Sequence, residues 1–195
     1  MTKAGGSEER LAAVTVGELS RLNGTIELVS YDPKWPPQYA QLEAQIRRAL
    51  GAKVLQIEHV GSTSVPNLAA KPIIDIVLAV QDSADESAYV PALEQAGFVL
   101  RIREPDWFEH RMFKSPTVAG NVHVFTHGCE EMTRMLAFRD WLRTSDADRA
   151  LYEKTKRELA GRVWRYTQDY ADAKSEVVRA ILGRAIRTDR AIRTD

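Results

Sequence analysis

Apolar positions follow two regimes along the chain. Up to about residue 126, short β-rich runs alternate with stretches of helical period; from Glu130 onward the period is helical throughout. Residues 1–25 read as a lead-in with a short helix around Glu8–Val14. Thr25–Ser30 alternates and is rich in β-formers, which predicts a strand. Residues 31–36 (YDPKWP) predict a turn and a helix start, since proline is tolerated in a helix's first turn. The helix is expected over 37–50, with Tyr39, Leu42, Ile46 and Leu50 on one face and Gly51 as its stop.

Val54–Val60 predicts the next strand, and Gly61–Asn67 a loop dense in turn formers and hydroxyls. Ile73–Val80 is almost continuously apolar, as expected for a central strand covered on both faces. A helix over 84–96, closed by Gly97, precedes three further strands at 98–103, 107–114 and 122–126. Helices follow at about 131–144, 146–163 and 169–187, with Ser145 and Asp148 spaced as a capping box for the second. The order predicts an α+β (mixed α/β) domain over residues 26–187, a mixed sheet flanked by helices with a C-terminal helical segment. Residues 188–195 read as a tail. There RAIRTD, first seen at 184–189, repeats at 190–195, a period too short for a solenoid.

Composition narrows the function classes. With 44% hydrophobic and 28% charged residues in 195, a packed core is expected. Twenty-seven basic and twenty-seven acidic residues cancel, which argues against a dedicated nucleic-acid binder. The balance shifts along the chain: residues 1–125 carry 12 basic and 15 acidic side chains, and residues 126–195 carry 15 and 12. One cysteine, Cys129, excludes an internal disulfide and fits a cytoplasmic location. No apolar run is long enough for a membrane span or a signal peptide.

The candidate chemistry lies around residues 59–77. Gly61 after a strand allows close backbone approach to a ligand, and Ser62, Thr63 and Ser64 offer hydroxyls to phosphate oxygens. Asp75 then interrupts an apolar strand. A carboxylate there is costly without a cation, a metal or several donors, so it is either an ion-pair anchor or a ligand for Mg²⁺ beside a phosphate. In the helical region, Arg139, Lys156 and Lys174 each fall in the apolar stripe of a helix. Such cations either snorkel to water or converge on an anion. His123, alternating with Val122 and Val124, is a candidate base or metal ligand. His59, His110 and Arg111 are weaker candidates, and Trp35 and Trp107 read as packing residues.

These blocks resemble a known family. IELVSYDPKWPPQY, IEHVGSTSVPNLAAKPIIDI, NVHVF, MLAFRDWLR, LYEKTKRELA and YADAKSEVV are similar, in that order, to the GrpB family, over about residues 26–182. The resemblance implies a fold of the nucleotidyltransferase superfamily. It implies an enzyme moving a nucleotidyl or related phosphoryl-type group from an NTP to a small acceptor, with Mg²⁺ as cofactor. Gly61, Ser62 and Thr63 would hold phosphate with Arg139, Lys156 and Lys174, while Asp75 would hold metal and His123 would assist. A similar domain fused to dephospho-coenzyme A kinase in some bacteria implies a partner enzyme in coenzyme A metabolism. This chain departs from the superfamily pattern: Val77 stands where a second acid belongs, and the later strand offers Asn121 and His123 instead of a third. Asp75, His123 and a phosphate remain as a one-metal set, with Glu58 on an adjoining strand. The alternative is a non-catalytic module for a nucleotide or coenzyme phosphate. Asn67 replaces a family glycine, and asparagine also tolerates a left-handed turn.

Overall fold

The computed structural model describes residues 8–192; residues 1–7 of the lead-in and 193–195 of the tail lie outside the described residues. A five-stranded mixed sheet, ordered β1-β2-β5-β4-β3, carries the fold. Its strands are β1 (Gln56–Val60), β2 (Ile74–Val80), β3 (Val99–Glu104), β4 (His110–Lys114) and β5 (Gly120–Thr126). β2 runs parallel to β5, and the other three pairings are antiparallel. Helix α1 spans Glu8–Val14, α2 Trp35–Leu50 and α3 Val90–Gln95; α4 (Glu130–Thr144), α5 (Asp146–Ala160), α6 (Thr167–Ala173) and α7 (Ser175–Ile192) form the helical end.

Strand alternation sends consecutive residues to opposite faces, and each face meets its own helices. Ile74, Ile76 and Leu78 of β2, with Val122 and Val124 of β5, join Leu42, Ile46 and Leu50 of α2 and Leu93 of α3 in the main core. Val77, Ala79 and Phe125 face the other way, onto Met132 of α4. β2 is thus covered on both sides, as its apolar run implies. A further cluster of Val65, Leu68, Leu142, Tyr152 and Ile181 ties the loop after β1 to α4, α5 and α7. The Ser145 hydroxyl accepts from the N–H of Asp148, capping α5. Trp35 is buried in the main core, and Trp107 packs against His110 and Phe125.

Several elements differ from expectation. The segment 25–30 forms no sheet strand; Val29 makes an isolated bridge to Ala70, as Gly24 just before the segment does to Trp164, while Ile26 packs on Leu159, Ala160 and Tyr170. Its alternation records one-sided packing on the helical end. The helix expected over 84–96 is a 3-10 turn at Glu86–Ala88 followed by α3. Pro91, in the first turn of α3, cannot donate to a preceding turn, so a new helix starts there. The strand expected from Trp107 begins at His110, because Phe108 (φ 54°) and Glu109 (φ 50°) turn left-handed. The last helix begins earlier than expected and is two helices joined at Lys174; α7 continues through residues 188–192 of the expected tail.

Candidate functional site

The face of the sheet opposite α2 carries the polar residues. Across the parallel β2–β5 pairing, Asp75 stands beside Asn121 and Val77 beside His123. Across β4–β5, His123 is level with Met112 and Asn121 with Lys114. Above this face, and under α4 to α7, lies a cavity of about 520 Å³. Gly61, Ser62, Lys71, Asp75, His123, Lys156 and Lys174 line it.

Gly61 has φ 69°, a conformation that costs other residues strain, and it packs directly on the Asp75 carboxylate. Asp75 is one-third exposed, at 31% of its side chain. Its Oδ1 accepts from Asn121 Nδ2 at 2.8 Å, and Asn121 Oδ1 in turn accepts from Lys114 Nζ at 2.6 Å. His123 Nε2 lies 3.9 Å from Asp75 Oδ1, within ion-pair range but beyond a hydrogen bond. Burial alone would raise the Asp75 pKa; His123, the Asn121 amide and the charge of Lys71 outweigh it, and the carboxyl is held below its usual value. Asp75 is therefore an ionised acid at neutral pH.

Three lysines oppose it. Lys156 of α5, only 2% exposed, donates to Ser62 Oγ at 3.0 Å and to the Ala69 carbonyl, with its ammonium 4.9 Å from the Tyr152 ring centre. Burial, helped by the nearby charge of Lys174, pushes its pKa down to about 7. Lys174, at the joint of α6 and α7, sits 4.4 Å from the Tyr170 ring centre, and Lys71 sits 5.8 Å from the same ring. Burial lowers both to about 8, with Lys174 adding to the effect on Lys71.

Three residues expected at the site do other work. Arg139 does not line the cavity: Nη1 donates to Glu58 Oε2 at 2.9 Å and to the His59 carbonyl at 3.0 Å, and Nε donates to Asp140 at 2.7 Å. The helical stripe does place Arg139 inward, but over the edge strand β1. Glu58 is held there too and does not join Asp75. Thr63 borders the cavity with its hydroxyl committed elsewhere, donating to the Ile73 carbonyl at 3.2 Å and pairing with His59 Nε2 at 3.0 Å. His59 stacks on Tyr39 beneath the sheet, in apolar surroundings that push its pKa down to about 4. Arg143, not anticipated, clamps the loop by donating to the Ser64 carbonyl from Nε (3.1 Å) and Nη2 (2.9 Å).

Lys71 is the residue that sequence reasoning missed. It sits in the connection between the Gly-Ser turn and β2, where no periodicity marks it. Its one available signal is position: a cation four residues before the interrupting acid. Asn67, by contrast, takes the expected left-handed conformation, with φ 63°.

The donor set does not fit the two-metal Mg²⁺ centre of the superfamily pattern. Val77 is fully buried against Phe125 and Met132, so the second ligand position is filled by apolar packing. Among the described residues no group of three or more His, Cys, Asp or Glu side chains could hold a metal ion. Lys71, Lys156 and Lys174 bring three amino groups to the same cavity. No helix among the described residues is long and apolar enough to cross a membrane.

Fold and site together define an α+β protein with a lysine-rich cavity between a mixed sheet and a helical layer. The chain belongs to the GrpB family: the family model for GrpB protein matches residues 25–184. A UPF0157 protein of Halalkalibacterium halodurans is 58% identical over 179 residues, 92% of either chain. A dephospho-CoA kinase of Mycolicibacterium paratuberculosis is 31% identical over 166 residues, which are 70% of this chain and 40% of that one. The crystal structure of the conserved protein GrpB from Enterococcus faecalis superposes with a TM-score of 0.70 at 28% identity, covering 83% of this chain and 98% of that one.

Proposed function

We propose that the cavity binds a small phosphorylated molecule, a nucleotide or a coenzyme-like phosphate, with lysines supplying the positive charge in place of metal. One observation carries this reading: Lys71 and Lys174 converge on the ring of Tyr170. Two like charges held together in a partly buried space are mutually destabilising, and Asp75, which attracts both, can balance only one of them, so a bound anion would be stabilised there. The Tyr170 hydroxyl adds support, being buried with no hydrogen-bond partner among the described residues. Buried hydroxyls are normally paired, so this one is an unmet polar group in a residue that lines the cavity. Ser62, already oriented by Lys156, supplies a further polar contact beside Gly61. The similarity to a segment of a dephospho-CoA kinase favours coenzyme-like phosphates among the candidates.

Calorimetric titration with ATP and with coenzyme A, in the presence of EDTA, tests this. Binding should persist without divalent metal and weaken at least tenfold in Lys71→Ala and in Lys174→Ala. No heat from either ligand, or affinity indifferent to both lysines, refutes the reading.

A second reading is transfer of a nucleotidyl or phosphoryl-type group from an NTP to a small acceptor. The position of His123 favours it, at the cavity wall beside an ionised Asp75. Positioning and charge neutralisation would then supply the rate. Turnover of labelled NTPs, lost in Asp75→Ala, would establish it.

A further inference from the structure

A line of titratable side chains reaches the cavity from the β3 edge of the sheet. Glu104 and His110 are paired across β3 and β4. Glu104 Oε2 lies 2.8 Å from His110 Nδ1, and His110 Nε2 lies 3.0 Å from His123 Nδ1. The two imidazoles stack with centres 5.2 Å apart; Phe125 stacks on His110 at 4.8 Å, and Trp107 meets it edge-on at 5.2 Å. The side chains of Glu104 and His110 are 8% and 5% exposed, and that of His123 is 21% exposed. Glu104 and His110 line a smaller cavity of about 220 Å³, and His123 lines both this one and the larger.

We propose that Glu104 and His110 are positioning residues that hold the His123 proton on Nδ1, so that Nε2 faces the lysine-lined cavity as that site's proton acceptor. With Glu104 ionised, its carboxylate only accepts hydrogen bonds, and the proton between it and His110 belongs to His110 Nδ1. The neutral His110 ring then has a lone pair on Nε2, which accepts from His123 Nδ1–H. His123 is left with a bare Nε2. The reverse polarity would require a charged His110 packed between Phe125 and Trp107, a costly place for a cation. It would turn a His123 Nε2–H toward Asp75 Oδ1, but at 3.9 Å that contact is too long for a hydrogen bond and offsets little of the cost. A bare Nε2 accepts a hydrogen from a ligand hydroxyl or a bound water, and it is the atom through which a histidine acts as a general base. This extends the ligand-cavity reading and rests on it only for what arrives at Nε2; the tautomer belongs to the ligand-free protein.

Two-bond ¹H–¹⁵N correlation spectra of the ¹⁵N-labelled, ligand-free full chain, at a pH where both rings are neutral, read the tautomers directly. Disappearance of signals in His123→Asn and His110→Phe assigns them. His110 and His123 should both carry the proton on Nδ1. His110→Phe, which keeps the ring stack, should shift His123 toward the Nε2–H form. Glu104→Leu should do the same, whereas Glu104→Gln, whose amide oxygen still accepts, should preserve the native pattern. An Nε2–H pattern for His123 in the unaltered protein overturns the proposal, and that spectrum decides the matter even if a variant fails to fold. A His123 pattern unchanged in His110→Phe overturns the positioning role. Neither failure touches nucleotide binding through Lys71 and Lys174, which the calorimetry measures separately.

Discussion

A β-carbon at position 61 would stand 2.5 Å from Asp75 Oδ2. Gly61 and Asp75 therefore occupy their places as a pair: the turn can close only because no side chain intervenes, and the φ of 69° adds a second reason for glycine. Gly61→Ala should destabilise the protein by about 1–3 kcal/mol, the usual cost of local strain. Urea unfolding measures it. In the double variant Gly61→Ala, Asp75→Gly the two losses should be less than additive, because the clash is gone.

Stability should rise with pH above neutrality in the ligand-free protein. Below about pH 7 Lys156 is protonated in both the folded and unfolded chains, and its buried charge is a standing cost. Between about pH 7 and the unfolded lysine value of 10.5, the unfolded chain binds the extra proton, so unfolding becomes harder as pH increases. Lys156→Met should flatten this slope in melts taken from pH 7 to 10.

Anion affinity should move the other way. A phosphate favours the protonated forms of Lys71 and Lys174, which titrate at about 8 in the empty cavity. Nucleotide affinity should therefore fall as pH is raised from 7 to 9, and Lys71→Arg, which stays charged, should fall less. Calorimetry across that range checks both.

Arg139 should behave as a structural residue. Arg139→Ala is expected to leave nucleotide affinity within about twofold while lowering stability by about 1 kcal/mol, since its partner Glu58 is 39% exposed and much of the attraction is screened. A large affinity loss with unchanged stability would return Arg139 to the binding site.

At Asn67 the backbone is left-handed, with φ 63°. Asn67→Ala should cost about 1 kcal/mol, whereas Asn67→Gly should cost nothing measurable. Thermal melts of the two variants compare them directly.

What the sequence revealed depended on whether packing left a periodic trace. β2 was legible because burial on both faces demands a continuous apolar run, and Asp75 was legible as its interruption. Lys156 and Lys174 were legible because helical spacing put them among apolar neighbours, and both line the cavity. The same spacing placed Arg139 inward without revealing that the inner side there is an edge strand. Lys71 lies in a connection, where no period exists. The Glu104–His110–His123 line joins three strands, and such a line depends on register, which no single segment encodes. The break at Lys174 has no proline or glycine to announce it, and the alternation at 25–30 mimicked a strand because one side of an extended segment was buried.

The alternation of β2 also separates two kinds of selection within seven residues. Ile74, Ile76 and Leu78 face α2 and answer to folding, while Asp75 faces the cavity and, on the proposed reading, answers to the ligand. Val77, although on the ligand side, lies under α4 and answers to packing. A randomised library of this strand, sorted once for abundance and once for ligand retention, should therefore set position 75 apart. Replacements at Ile74, Ile76, Val77 and Leu78 would be lost from both sorts together, whereas replacements at Asp75 would survive the first and fail the second.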